Sequence, residues 1–424
     1  MMPPQTAATD DPATSAFPTG SALPPDLLAE LPHDAAFAVW QVLRCLQLWT
    51  AEPEGARREV FDRDYMERWE HRLLSGSLEA EARFPLAVVV GELAAAPAAG
   101  GGRLPWACVC VADWALGRGA RRVGLAFAEA AARTAPQHPR YAWLAGRLLR
   151  GHGNARDGER WLRRAHRLAV AQRDWETQAR SLTSMGNLLL EVGRHGDARQ
   201  YHVRALRISQ RFHLREQEAM AMHDLFAIAV QESNRADAEF YARGALAAYR
   251  PTDRRIPKLA HDVAYFWMTQ GYFHRALSVF QAVRPYFSAP DDALRVVANA
   301  ARAVAGTGDR AGFAAFRSEA EELVPQLVTR EALAVAILEM AYGAASLRDW
   351  PEALALAHDA GEAAKLRSES NVIVRADALA AAVEQQEMEG VEGFVPERRA
   401  SGSSGEELAD ELVASLERGR SDGE

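Results

Sequence analysis

Small residues that return at a fixed interval place the strongest constraint on how this chain can fold. In residues 185–209, MGNLLLEVGRHGDARQYHVRALRIS, the landmarks are Gly186, Leu189, Gly193, Ala198 and Ala205. Forty residues upstream stand Gly146, Leu149, Gly153, Gly158 and Ala165, and forty downstream Ala238 and Ala245 hold the last two places. Gly271, Ala276 and Phe280 carry the pattern on, followed by ARAVAGTGDRAGFAAF and SLRDWPEALALAHDAGEAA. VADWALGRGARRVGLAFAEAAARTAP lies 34 residues ahead of the second unit, which makes seven units with periods of 34 to 40 residues. The spacing has a physical cause. Small side chains let two antiparallel helices approach closely, and a glycine between them relieves the turn. One helical hairpin cannot bury its apolar side alone, so stacked hairpins supply a continuous core.

These units resemble the tetratricopeptide repeat family. The unit at 105–138 keeps Ala112, Gly124, Ala131 and Pro136 at the family's small-residue and closing-proline places. The unit at 179–205 keeps Gly186, Gly193, Ala198 and Ala205. A period near 40 rather than 34 departs from the family pattern, and its bulky place 24 is His202 in one unit and Ala128 in another. The resemblance covers residues 105–366. It implies an all-α fold: a right-handed α-solenoid of stacked antiparallel helix pairs that recognises another protein or a peptide.

Four regions follow from the pattern. Residues 1–24, rich in Pro, Thr, Ser and Ala, read as a disordered arm. Residues 25–100 read as an N-terminal helical region. Phe37, Trp40, Leu43, Leu46 and Leu48 recur near a 3.6-residue period, and Tyr65, Trp69, Leu73 and Leu74 mark a second helix. PLAVVVGELAAA admits a strand by its valine run, but its helical neighbours favour a helix, and APAAGGGRLP reads as a flexible joint. The solenoid occupies 105–383. Residues 384–424 form an acidic flexible tail in which Leu408, Leu412 and Leu416 outline a short amphipathic helix. Opposite charge and the leucine stripe predict that this helix docks on its own chain or on a neighbour's.

Charge matters for its location. The chain carries 57 acidic and 49 basic side chains, a net charge of -8. The tail alone holds 12 acidic and 4 basic residues, so residues 1–383 balance at 45 against 45. This argues against a general nucleic-acid binder. Cys45, Cys108 and Cys110 lie in apolar stretches and read as buried, inert thiols rather than a disulfide scaffold. The start, MMPPQTAATDDPATSAF, lacks the pattern of a signal peptide, and Phe84 to Ala99 is broken by Glu92 and Pro97. The expected location is cytoplasmic, with no membrane partner.

Features that imitate catalytic motifs reduce to repetition. GRGARRVG, GHGNARDG and GTGD follow no clear strand and lack the lysine and serine or threonine of a phosphate loop. They fall at one place in the repeat, between its two helices. His223-Asp224 and His261-Asp262 are 38 residues apart and also share a repeat place, which explains them without a metal. Cys108 and Cys110 have no partners at zinc spacing. No catalytic residue, metal site or cofactor is expected.

The resemblance implies that the first helix of each unit faces a concave surface, with places 2, 5, 9, 12 and 13 touching the partner. Those places carry Arg140, Trp143, Arg147 and Arg150 in the second unit and Arg180, Thr183 and Asn187 in the third. The fourth supplies His223 and Gln231, the fifth Lys258, His261, Tyr265 and Met268, and the sixth Arg295 and Arg302. Asn187 matches an asparagine of the family's carboxylate-binding sites, although the full set is absent. Convergent guanidinium groups suit carboxylates, and Trp143, Tyr265 and Met268 would anchor a peptide. The leading expectation is a non-enzymatic scaffold or adaptor that recognises acidic segments in a basic groove. The alternatives are a peptide-responsive, transcription-linked regulator and an enzyme with an N-terminal site. Solubilising arginines on an exposed face are the plainer reading of the same residues.

Overall fold

The computed structural model describes residues 29–53, 55–76, 78–95, 102–398 and 403–421. The arm at 1–24 and most of the 96–105 joint lie outside the described residues. The chain forms two compact units, Met1–Ala221 and Met222–Glu424, divided within helix Arg215–Gln231. Among the described residues there is no strand, and no helix is long and apolar enough to cross a membrane.

The first unit opens with α1 His33–Ala51, α2 Arg57–Val60, α3 Arg63–Ser75 and α4 Ala80–Ala95. Three helix pairs follow: α5 Leu104–Gly117 with α6 Arg121–Thr134, α7 Pro139–Gly151 with α8 Ala155–Gln172, and α9 Trp175–Glu191 with α10 His195–Arg211. The valine run of α4 is helical despite Pro85, and buries Leu86, Ala87, Val89, Val90 and Leu93. In α1 the buried face runs from Ala35 through Val39, Val42, Leu43 and Leu46 to Trp49, whereas Phe37 and Leu48 are 58% and 38% exposed. The sequence pattern therefore misplaced the face. The chosen residues straddle two sides of the helix, and contact with α4 and α6 selects the stripe that runs from Ala35 to Trp49. Likewise Trp69 and Leu73 of α3 are buried, but Tyr65 and Leu74 are exposed.

The second unit takes the end of α11 Arg215–Gln231 with α12 Arg235–Ala248. It continues with α13 Ile256–Thr269 and α14 Phe273–Val283, α15 Pro290–Gly306 and α16 Arg310–Leu323, and α17 Leu333–Ser346 and α18 Trp350–Arg367. Helix α19 Ser370–Gln385 packs on α18, and α20 Ser403–Ser421 ends the described chain. Short turns make each pair antiparallel.

The repeated small residues sit where helices meet. Ala165, Ala198, Ala205, Ala238 and Ala245 are completely buried. A Cβ on Gly146 would lie 2.9 Å from the Gly158 carbonyl oxygen, and one on Gly186 2.4 Å from His202 Nε2. Turn glycines follow the same logic: Gly119, Gly153, Gly193, Gly271 and Gly308 all have φ between +74° and +86°. Ser233 and Arg348 hold φ near +55° where the fourth and seventh units lack that glycine. Helix starts are capped by side chains: Asn154, Asp174, Asn234 and Asp309 accept from the amides of Asp157, Thr177, Asp237 and Gly312.

Candidate functional site

Side chains on successive first helices bond to one another about one repeat apart. In the first unit, Trp143 Nε1 donates to Ser184 Oγ at 3.0 Å, Arg150 pairs with Glu191, and Gln217 donates to Glu176 at 3.3 Å. Each of these contacts spans 41 residues. The first helices of this unit thus lie side by side, joined through these side chains.

Trp143 is the centre of the first-unit cluster. Its ring is buried, and the guanidinium groups of Arg147 and Arg180 lie 5.2 and 5.0 Å from its centroid. Arg180 is bound to Glu176 at 2.7 Å and approaches Glu216 at 3.8 Å. Arg147 has no carboxylate within ion-pair distance among the described residues. Burial pushes its pKa down, while Asp113 pulls the other way. Arg140 is exposed beside this row, and Asn187 is half-buried two turns along α9 from Arg180. Thr183 is buried and unavailable to a partner.

The second unit corrects the expectation of a basic wall. His223 Nε2 lies 3.2 Å from Asp262 Oδ2, and His261 Nδ1 lies 3.2 Å from Asp262 Oδ1. Tyr249 Oη is 3.3 Å from His223 Nδ1, and Asn299 Nδ2 is 3.1 Å from His261 Nε2. Each histidine can donate toward Asp262 from one ring nitrogen and accept on the other, so every link of the chain has a partner. Burial opposes the charge on Asp262, but the hydrogen bonds from His223 and His261 outweigh it and hold the carboxyl well below its usual range. Among the described residues, no group of three or more His, Cys, Asp or Glu side chains could hold a metal.

Further along the second unit, Arg302 is 2% exposed and its guanidinium is paired with Glu339, itself 1% exposed. Tyr265 Oη donates to the other Glu339 oxygen at 3.3 Å, and Arg375 lies 3.7 Å from it. The Glu339 carboxylate, with burial, pushes the Tyr265 hydroxyl up to about 12. Arg302 and Arg375 stack over Tyr342 at 4.7 and 5.5 Å. Arg302 is therefore a neutralised core group. Met268 is fully buried and anchors nothing outside. Lys258 and Arg295 are exposed, and Lys258 lines a cleft with Tyr286 and Leu416.

Sequence reasoning missed Glu339, Tyr342, Asn299 and Arg375. Glu339 did leave a signal, as the only charge in the otherwise apolar helix LAVAILEMAYGAAS. A lone acid in such a helix needs a buried partner. Of the thiols, Cys108 is buried and pushed up by desolvation, while Cys45 and Cys110 are half-buried.

Comparison with known proteins adds little to this geometry. No family model matches the chain, and no curated protein does. Among solved structures it is similar, at 10% identity, to a Rap protein complexed with competence and sporulation factor, over 82% of this chain and 98% of that one, with a TM-score of 0.42. Aspartyl phosphate phosphatase F from Bacillus subtilis is similar at 11% identity over 85% and 97% of the two chains, also with a TM-score of 0.42. The TPR domain of P58(IPK) matches at 12% identity over 86% and 99%, with a TM-score of 0.21. The fold is established by the helix pairs themselves.

Proposed function

We propose that this protein is a non-enzymatic helical-repeat scaffold or adaptor that binds another protein or a peptide and recognises acidic segments through its first-unit row. The observation that carries this reading is the Arg147–Trp143–Arg180 stack. Two guanidinium groups flank one indole, and Arg147 keeps its hydrogen-bonding capacity for an incoming carboxylate. Arg140 adds exposed positive charge, and Asn187 offers an amide that reads a peptide backbone. The continuous chain of satisfied bonds around His223, Asp262 and His261 supports a structural role for those groups rather than proton transfer.

The test uses a fluorescein-labelled octapeptide of alternating glutamate and leucine, followed by polarisation. Arg147→Glu should weaken binding at least tenfold. The loss should shrink as salt is raised, because the charge screens. Equal affinity of Arg147→Glu and the natural chain would refute the acidic-segment reading.

A further inference from the structure

Two stretches of the C-terminal region lie on the chain's own second unit. Residues 386–398 have no regular structure and are held by their main chain. Tyr342 Oη donates to the Glu392 carbonyl at 2.7 Å, and the Arg302 guanidinium donates to the Gly393 carbonyl. The Arg398 amide donates to the Gly271 carbonyl at 2.8 Å. Met388, Val391 and Phe394 pack, partly buried, against the core beneath. The fit is close. A Cβ on Gly393 would lie 2.9 Å from Tyr342 Oη, and one on Gly271 would lie 2.2 Å from the Pro396 carbonyl oxygen. The tail is thus gripped largely through carbonyl groups, which any peptide possesses.

Helix α20 follows. Leu408, Leu412 and Leu416 are buried, and the helix packs chiefly on α14 with further contacts to α12 and α13. Arg243 lies 3.8 Å from Glu407 and 4.0 Å from Glu411. Tyr286 Oη donates to the Leu416 carbonyl. Leucines every four residues facing the repeats, with acids on the flanks, are the signature of a helix laid in a groove.

One feature separates this contact from a permanent cap. Arg275, stacked 5.1 Å from Trp267 and 5.0 Å from Tyr272, is 7% exposed. Its Nε, Nη1 and Nη2 have no hydrogen-bond acceptor, and the Glu239 carboxylate stands 3.8 Å away. A Cβ on Gly405 would fall 2.1 Å from Arg275 Nη1, so the first turn of α20 presses on the guanidinium. The docked tail covers the cation and brings the Glu406 charge near it, but gives it no hydrogen-bond acceptor. Such a cover is weaker than its leucines alone would make it.

We infer that residues 386–398 and 403–421 are a built-in ligand: the surface they cover binds an external acidic amphipathic helix with leucines at four-residue spacing, and the chain's own segments must leave before that partner docks. This rests on the reading of the protein as a peptide binder and names a second surface for it. An external helix that brings an acceptor to Arg275 outcompetes the resident one, which offers a glycine there.

The experiment uses the full chain and a labelled synthetic peptide of residues 403–421 as the probe. Leu408→Asp and Gly405→Val change only the tail and leave the receiving surface intact. Both variants should bind the probe at least tenfold tighter than the natural chain, and Arg243→Glu added to Leu408→Asp should reduce the gain. Equal affinity of all three chains, with unchanged helical circular dichroism, overturns the inference. So does hydrogen exchange of amides 408–416 in the natural chain at the rate of an unstructured peptide. If the probe fails while the acidic octapeptide still binds, only the inference falls; if both fail, the peptide-binding reading falls with it.

Discussion

Gly158 shows how little space the repeat leaves at the level of one residue. A Cβ there would lie 2.9 Å from the Arg150 amide nitrogen and 3.0 Å from the Gly146 carbonyl oxygen, both backbone atoms that cannot step aside. Gly158→Val should lower unfolding free energy by about 1–3 kcal/mol, the usual cost of overpacking, and a urea midpoint with unchanged slope would record it. This constraint was legible, because the same place holds Ala198 and Ala238 one and two repeats on. Asp262 was not legible in the same way, since one of its two partners, His223, comes from a different helix and only the packing brings the three side chains together. Its folded pKa is depressed by the bonds from His223 and His261 against the effect of burial. A carboxyl of this kind stabilises the fold above its unfolded pKa, near 3.9. The contribution disappears as pH falls below about 4 and the unfolded chain takes up the proton first. Asp262→Asn should therefore lower the melting temperature at pH 7 and flatten its fall between about pH 4 and 2. An acid limb identical to that of the natural chain would contradict this assignment.

Helices were easier to locate than to orient. The run from Phe37 to Leu48 predicts a helix, and α1 is one, yet Phe37 and Leu48 lie outside its buried stripe. Where apolar residues occur on several faces of a helix, periodicity alone leaves the choice to the neighbouring helix. The same holds for α15 and α17. Arg302 occupies a partner-facing place by family pattern, but α17 brings Glu339 against it and removes both charges from water. Breaking that pair leaves an unpaired buried charge. Glu339→Leu should cost about 3–5 kcal/mol, whereas Arg302→Met combined with Glu339→Leu should restore most of the loss. Equilibrium denaturation of the two variants decides the point; a double variant as unstable as the single one would show that packing rather than charge dominates.

The whole molecule concentrates its net charge of -8 in residues 384–424. The structure shows what that placement does: Leu408, Leu412 and Leu416 enter the second unit while the acids stay on the rim. Arg243, Glu407 and Glu411 keep 36%, 60% and 50% of their side-chain surface exposed, so their attraction is weak and screened by salt. Leucine burial supplies the larger share of the docking. Raising sodium chloride to about 1 M, where the screening length is about 3 Å, should leave amides 408–416 protected in hydrogen exchange. Full release at that salt would mean that charge, not apolar contact, holds the tail.

Sequence alone determines which local chemistry repeats. Small residues at fixed intervals, turn glycines and an apolar stripe on each helix are sufficient for stacked antiparallel helix pairs, because each requirement involves residues close in sequence or one repeat apart. Pairings outside that interval required the fold. The Arg302 guanidinium meets Gly393 across 91 residues and Tyr286 meets Leu416 across 130, and no periodicity relates them. Of the residues expected to be basic, Arg147 in the first unit has no carboxylate within ion-pair distance among the described residues. In the second unit Glu339 neutralises Arg302, and the returning C-terminal segment accepts from it at Gly393. Charge compensation depends on which side chains share a buried volume, and only the packing of helices distant in sequence determines that.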